Sequence, residues 1–190
     1  MSGGRVVNKE TNITSAIGYY YHQTNTAVFY GDVVLKSPES TIYTDSLRYN
    51  TNKEIAYFIT KTTIIDKDSN VIITHSGYYD TKEEKAFLGN NAIIKKGDAK
   101  VSAQSIDYNK KTKIAIAEGN VTYQDSSDRT TILSNYIYSD ENNALVRAYK
   151  DPLMITVSED EKDTMYLSAD TLFSYRTLST DSIKLNEIGR

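Results

Sequence analysis

The chain has 190 residues, with 22 Lys and Arg against 25 Asp and Glu, 16 Tyr, no Cys and 2 His. A net charge of -3 leaves no surplus of cations for a phosphate backbone, so nucleic acid is not an expected partner. Without thiols there is no disulfide scaffold, cysteine nucleophile or thiolate metal site; His22 and His75 are too few for a three-histidine metal centre and read as ordinary strand residues.

Met1 to Arg5 do not read as a signal peptide; they look like a processed or engineered end and carry no information on where the natural protein resides. No run approaches the roughly 18 apolar residues of a membrane-spanning helix. Residues 1–12 lack alternation and are expected to fray, as are 179–190, which leaves 13–178 as the patterned domain.

The pattern is a tandem repeat. A first unit ends in Ala27-Val28-Phe29-Tyr30-Gly31-Asp32-Val33-Val34-Leu35. Segments 48–64, 78–94, 107–123 and 137–153 then align without gaps, and their second-place tyrosines, Tyr49, Tyr79, Tyr108 and Tyr138, recur in steps of 30, 29 and 30 residues. A partial copy, Ser168 to Leu172, echoes Tyr43 to Leu47. Inside each unit the period is two, the signature of strands. Ser102, Gln104, Ile106 and Tyr108 share one face of a short strand, as do Ile132, Ser134, Tyr136 and Tyr138.

Polar turns follow, such as Asn50 to Lys53 and Asn109 to Thr112. In the longer strand after each turn the inward parity flips: Val28 and Tyr30 give way to Val33 and Leu35, Tyr57 to Thr62 and Ile64, Phe87 to Ala92 and Ile94, Ile116 to Val121 and Tyr123. An extra residue at a fixed point is the mark of a bulge or bend, for which Gly31, Gly119 and Asn90 supply backbone freedom. The expected fold is therefore all-β: an elongated antiparallel sheet of about ten to twelve strands, a solenoid-like meander bent into two facing layers, with no helix.

No phosphate loop, nucleophile elbow or zinc-protease motif is present, and the carboxylates fall mainly in turns. No catalytic residue, cofactor or metal ligand is assigned. The inward stripe comprises Val28, Tyr30, Val33, Leu35, Tyr57, Ile64, Phe87, Ile94, Ile106, Ile116, Val121 and Tyr123. A closed core accounts for it by default. A trough for an elongated apolar ligand also accounts for the small or polar residues in the stripe, Thr62, Gly77, Ala92, Gln104 and Ser134.

The unit Ala27 to Val33 followed by Thr44-Asp45-Ser46-Leu47-Arg48-Tyr49, and its copy Ala115 to Val121, resembles the OstA-like, or lipopolysaccharide-transport protein A, family of Gram-negative outer-membrane biogenesis, over roughly residues 16–175. The Tyr-rich units look most like longer Bacteroidetes-type members, of which this chain would be a fragment. The resemblance implies a β-jellyroll, or taco, whose groove carries lipid A acyl chains through the periplasm, without enzymatic activity. It also implies lipopolysaccharide or another acylated lipid as ligand, other lipopolysaccharide-transport proteins as partners, and head-to-tail homo-oligomers joined through open strand edges. The twelve inward residues would line the groove. Two departures stand out: Thr60-Lys61 in place of Gly-Asn, and Lys150-Asp151-Pro152; both rungs are expected to bend differently. Two alternatives remain open: a dry structural or adhesive β-solenoid, and an N-terminal periplasmic domain of a larger outer-membrane assembly protein.

Overall fold

Alternating sequence and polar turns produce one continuous antiparallel sheet in the computed structural model, which describes residues 4–8 and 11–175. Its strands are β1 (Gly4–Asn8), β2 (Thr11–Ser15), β3 (Ile17–Tyr21), β4 (Thr26–Lys36), β5 (Ser40–Asn50), β6 (Ile55–Phe58), β7 (Thr62–Asp66), β8 (Val71–Thr74), β9 (Ser76–Asp80), β10 (Lys85–Gly89), β11 (Ala92–Lys96), β12 (Ala99–Ala103), β13 (Ser105–Asn109), β14 (Ile114–Asp125), β15 (Thr130–Asp140), β16 (Leu145–Tyr149), β17 (Leu153–Val157), β18 (Thr164–Ser168) and β19 (Thr171–Tyr175). The only helical element among the described residues is the single 3-10 turn His22–Thr24. Four strands, β4, β5, β14 and β15, run unbroken through a central crease that divides the others in two. The expected number of long strands thus appears as nineteen pieces. Gly4–Asn8, expected to fray, pairs in full register with Thr11–Ser15; the expectation for 179–190 lies outside the described residues.

The crease folds the sheet into two layers. One contains β3, β6, β9, β10, β13, β16 and β19 with the adjoining halves of the long strands; the other contains β1, β2, β7, β8, β11, β12, β17 and β18 with the remaining halves. Four of the five outgoing corners turn on two left-handed residues: Gly31-Asp32 (φ 73°, 46°), Asn90-Asn91 (53°, 64°), Gly119-Asn120 (77°, 47°) and Lys150-Asp151 (61°, 59°). The Lys150-Asp151 rung therefore bends like the others, contrary to the reading of its sequence. Thr60-Lys61 does differ, since neither residue has positive φ. There the Thr60 hydroxyl instead accepts from the Ser46 N–H (3.2 Å) and lies 3.0 Å from the Thr44 hydroxyl.

Returning strands take the same corner with one residue fewer. Between paired Tyr30/Ser46 and Val33/Thr44, two residues of β4 oppose one of β5, and β14 opposes β15 likewise between Glu118 and Val121. The change of face consequently falls on the returning strand, where Ile42 and Thr44 point inward before the crease and Leu47 and Tyr49 after it. On the outgoing strand parity is kept: Ala27, Phe29, Val33 and Leu35 all face in. The expected flip on the outgoing strand is thus misplaced.

Short side-chain bonds hold the returning corner. Ser15, Thr44, Thr74 and Ser134 each donate a hydroxyl hydrogen to the carbonyl two residues on, at 2.7–3.2 Å, and all four are buried. Ala103 takes this place in the fourth unit. Backbone bonds such as Gln104 N–H to Gly119 C=O (2.8 Å) tie successive corners together.

Candidate functional site

Strand pairing aligns equivalent residues into rows that run the length of the molecule. Deepest in the first layer runs the row Phe29, Leu47, Phe58, Gly77, Leu88 and Ile106, which continues with Ala117, Ile137, Ala148 and Leu172. Facing it in the second layer is a ladder of Leu35, Ile42, Ile64, Ile72, Ile94 and Val101, then Tyr123, Ile132 and Met154. These side chains form one continuous apolar interior. Full burial of a Leu, Ile or Phe contributes about 1.5–3 kcal/mol, so the rows account for much of what holds the layers together.

Nearer the open mouth, the first layer alternates large with small: Ala27, Tyr49, Ala56, Tyr79, Ala86, Tyr108, Ala115. Burial raises the phenol pKa of Tyr49, Tyr79 and Tyr108 above the usual tyrosine value. The alternation stops at Ser139, which pairs with Ala115 and is followed by Val146. Tyr138, the fourth repeat tyrosine, instead pairs with Ile116 and Arg147 on the outer face.

Of the twelve residues expected inside, Val33, Leu35, Ile64, Ile94, Ile106, Val121 and Tyr123 belong to the interior. Val28, Tyr30, Tyr57, Phe87 and Ile116 do not; they lie on the outer face of the first layer, where Val28, flanked by Tyr19 and Arg48, is itself buried (8% exposed). There Tyr57 and Tyr78 pack with ring centroids 6.4 Å apart, Tyr78 stacks on Phe87 at 6.0 Å, and the Arg48 guanidinium sits 4.5 Å from the Tyr57 ring centre. This aromatic ladder is the outward partner of small inward residues. It drew the inward reading because side-chain size, not parity, was the guide. The interior residues missed include Ala27 and Ala56 of the mouth row and Phe29, Leu47, Phe58 and Leu88. Unbroken parity from Ala27 and Phe29 to Val33 and Leu35 is the signal that identifies them.

At the mouth the layers approach through charged turns. The Lys96 ammonium of the second layer lies 3.3 Å from the Glu141 carboxylate of the first, and Lys67–Glu39 (2.8 Å) and Lys110–Glu84 (3.5 Å) pair nearby. All are exposed, so each contributes less than about 1 kcal/mol.

Towards β19 the interior opens into a cleft of about 750 Å3, with Tyr123, Ile132, Val146, Ala148, Met154 and Leu172 lining its apolar part and Asp125, Arg129, Thr130 and Glu159 at its rim. Asp125 is held below the usual carboxylate range, first by the Ser127 hydroxyl at 2.7 Å and further by backbone N–H groups and the Tyr123 hydroxyl. A neighbouring hollow beside Asp98, Lys100 and Glu161 lies on the charged rim rather than between the layers. No cluster of metal-ligating side chains exists among the described residues.

A creased, double-layered antiparallel sheet with side chains alone facing its interior defines a β-jellyroll of the trough type. The model of the OstA-like protein family matches residues 1–45 and 33–103, more than half of the chain, and the chain belongs to that family. Among solved structures it is similar to LptH of Pseudomonas aeruginosa, the LptA-homologous periplasmic component of the lipopolysaccharide transport device. That match has 14% identity and a TM-score of 0.52, and covers 57% of this chain and 82% of that one. At this identity the likeness establishes the shared fold. No curated protein matches.

Proposed function

We propose that this chain is a non-enzymatic periplasmic scaffold of a Gram-negative bacterium that carries lipopolysaccharide, or another acylated lipid, in its apolar interior towards the outer membrane. The observation that carries the reading is the apolar interior between the two layers, which opens into a cleft towards β19, in a chain of the OstA-like family. Acyl chains bring about 0.8 kcal/mol per buried methylene, so such a space can retain them without a charged anchor. The seven inward residues of the expected set belong to this lining; the five outward ones do not.

Among the described residues, β1 and β3 form one free end of the sheet and β18 and β19 the other. Unpaired edge groups favour extension into another copy, or into a related transport protein, head to tail. Native mass spectrometry of protein purified from a Gram-negative host tests the reading: co-purified lipopolysaccharide or phospholipid is expected, and lipid-free protein from cells with active transport would oppose it. A dry structural scaffold is the second reading. It is favoured by Phe29 and Phe58, buried aromatic side chains that occupy the interior themselves.

A further inference from the structure

We infer that the outer face of the first layer docks a second copy of this chain face to face, about a two-fold axis that runs along β9, with Arg48 of each copy meeting Asp107 of the other. The inference does not depend on what the interior holds, and it uses a different surface from the strand edges. One outward row crosses the layer in register as Arg48, Tyr57, Tyr78, Phe87 and Asp107, flanked by Val28 and Ile116. Between its two charges this row is entirely aromatic, and Tyr78 at its centre is 38% exposed. Neither Arg48 nor Asp107 forms an ion pair among the described residues. Desolvation raises the Asp107 carboxyl above the ordinary aspartate value, with Glu118 adding to it, so this carboxylate lacks a cation.

Arg48 and Asp107 stand two strands to either side of Tyr78. A two-fold interface must be self-complementary: where one residue meets another, the second meets the first. An axis along β9 reverses the row of the second copy, so Tyr78 meets Tyr78, Tyr57 meets Phe87, and the Arg48–Asp107 pair forms twice. In the next row towards the crease the same operation sets Tyr30 opposite Glu118. Nearer the mouth Asp80 meets Asp80, each beside its cross-strand Lys85 and with its carboxylate engaged by the N–H groups of Lys82 and Glu83. An axis across the strands would instead set Arg48 on Arg48 and Asp107 on Asp107, so the charges select the first arrangement. An axis between β14 and β15 would pair Arg147 with Asp107, but it leaves Tyr57 and Tyr78 uncovered. At about 4.8 Å per strand and 3.3 Å per residue, the seven first-layer strands from β4 to β14 offer a footprint of roughly 500 Å2 on each copy. That is the size of a weak, reversible contact, so dilute protein is monomeric. Tyr, Phe and Arg at its middle are the residue types enriched in interface cores.

The test is sedimentation velocity of the whole chain at rising concentration, on the wild type and on charge variants whose fold is checked by circular dichroism. Arg48→Asp and Asp107→Arg each turn two attractions into two repulsions and should weaken self-association at least about tenfold. An equimolar mixture of these two single variants should associate as the wild type does, because each mixed dimer regains both pairs. The double variant Arg48→Asp/Asp107→Arg should do the same, and Arg147→Asp should have no effect. Since the chain has no Cys, Tyr78→Cys supplies one thiol, on the axis. A short bis-maleimide should join two copies through it and not through Phe173→Cys. A wild type that stays monomeric at every concentration would overturn the inference. So would single variants that associate like the wild type, as oligomers joined through strand edges would, a mixture that stays monomeric, or loss of association in Arg147→Asp alone.

Discussion

The sheet turns its corners in nearly the same way from β2 to β19, yet the space inside is used differently at its two ends. Between β4 and β13 the rows carry Phe29, Phe58, Leu88 and the Tyr49–Tyr79–Tyr108 series, with Gly77 among them; between β14 and β19 they hold Ala117, Ile137, Ala148 and Leu172 and, nearer the mouth, Ser139 and Val146, and a cleft opens beside Val146, Ala148 and Leu172. One backbone plan therefore supports both a packed core and a hollow. What separates them is side-chain size at matched rungs. The packed section contributes stability, and the section beside the cleft gives up some of that packing.

The sharpest way to break this contrast is to truncate one side chain in each section. Phe58→Ala should cost about 3–5 kcal/mol, the range for a large buried aromatic. Leu172→Ala, on the wall of the cleft, should cost less than half as much, because its surroundings are already open. Urea unfolding measures both. Equal losses would mean the two sections are equally packed.

Gly77 offers a second comparison. It has φ 143°, and a Cβ there would collide with the Phe87 carbonyl oxygen, whereas a Cβ on Gly97 (φ 56°) would meet nothing within 4 Å. Gly77→Ala should therefore cost about 3 kcal/mol, and Gly97→Ala only about 1 kcal/mol of backbone strain. Similar values for the two would show that strand contact at Gly77 is not as tight as its neighbours require.

Smaller effects probe the crease. The buried Thr74 hydroxyl lies 2.7 Å from the Ser76 carbonyl and 3.0 Å from that of Gly89. Thr74→Val should cost about 1–2 kcal/mol, since it leaves buried acceptors without that donor. Ala103 fills the same place without a hydroxyl, so Ala103→Ser should be close to neutral or mildly stabilising. A neutral Thr74→Val would show the corner to be fixed by backbone pairing alone.

The smallest expected effects concern pH and have opposite signs. Asp125 is held below the usual range by the Ser127 hydroxyl, so the stability it lends is present at neutral pH and is lost as pH falls through and below the ordinary aspartate range. Asp107 is pushed up by desolvation, with Glu118 adding to it. Its charged form is disfavoured in the fold, so its penalty is felt at neutral pH and disappears as the group protonates on acidification. Asp107→Asn should accordingly raise the unfolding midpoint slightly at pH 7 and change nothing in acid, with Asp125→Asn lowering it at pH 7. Thermal melts across pH 3 to 7 would show whether the two curves converge in acid, as they should.

Much of the fold was legible because strand alternation, polar turns and the Gly-Asp and Gly-Asn corners all repeat together. The side facing inward was not, because both faces of the first layer carry aromatic or apolar residues. Tyr57, Tyr78 and Phe87 form an outer ladder while their inward neighbours Ala56, Gly77 and Ala86 are small, so choosing the larger side chains selected the wrong face. In the second layer the chosen residues Val33, Leu35, Ile64, Ile94, Val121 and Tyr123 do face inward, although its outer row also carries Val34, Tyr43, Ile73 and Ile93. The slip at Tyr138 follows from the turn between β14 and β15, which leaves four residues between paired Asp125 and Thr130, against two between Lys96 and Ala99. The cleft emerges only after every rung is in register, since it is a difference in size between rows rather than a motif.

The most direct test of the contrast is the structure of a crystal pressurised with xenon, which enters apolar space that side chains leave empty. Xenon is expected between Val146, Ala148, Met154 and Leu172, with none along Phe29, Leu47, Phe58 and Leu88. Xenon in the β4 to β13 section, or an unoccupied cleft beside Ala148, would contradict the account of a trough hollow at one end.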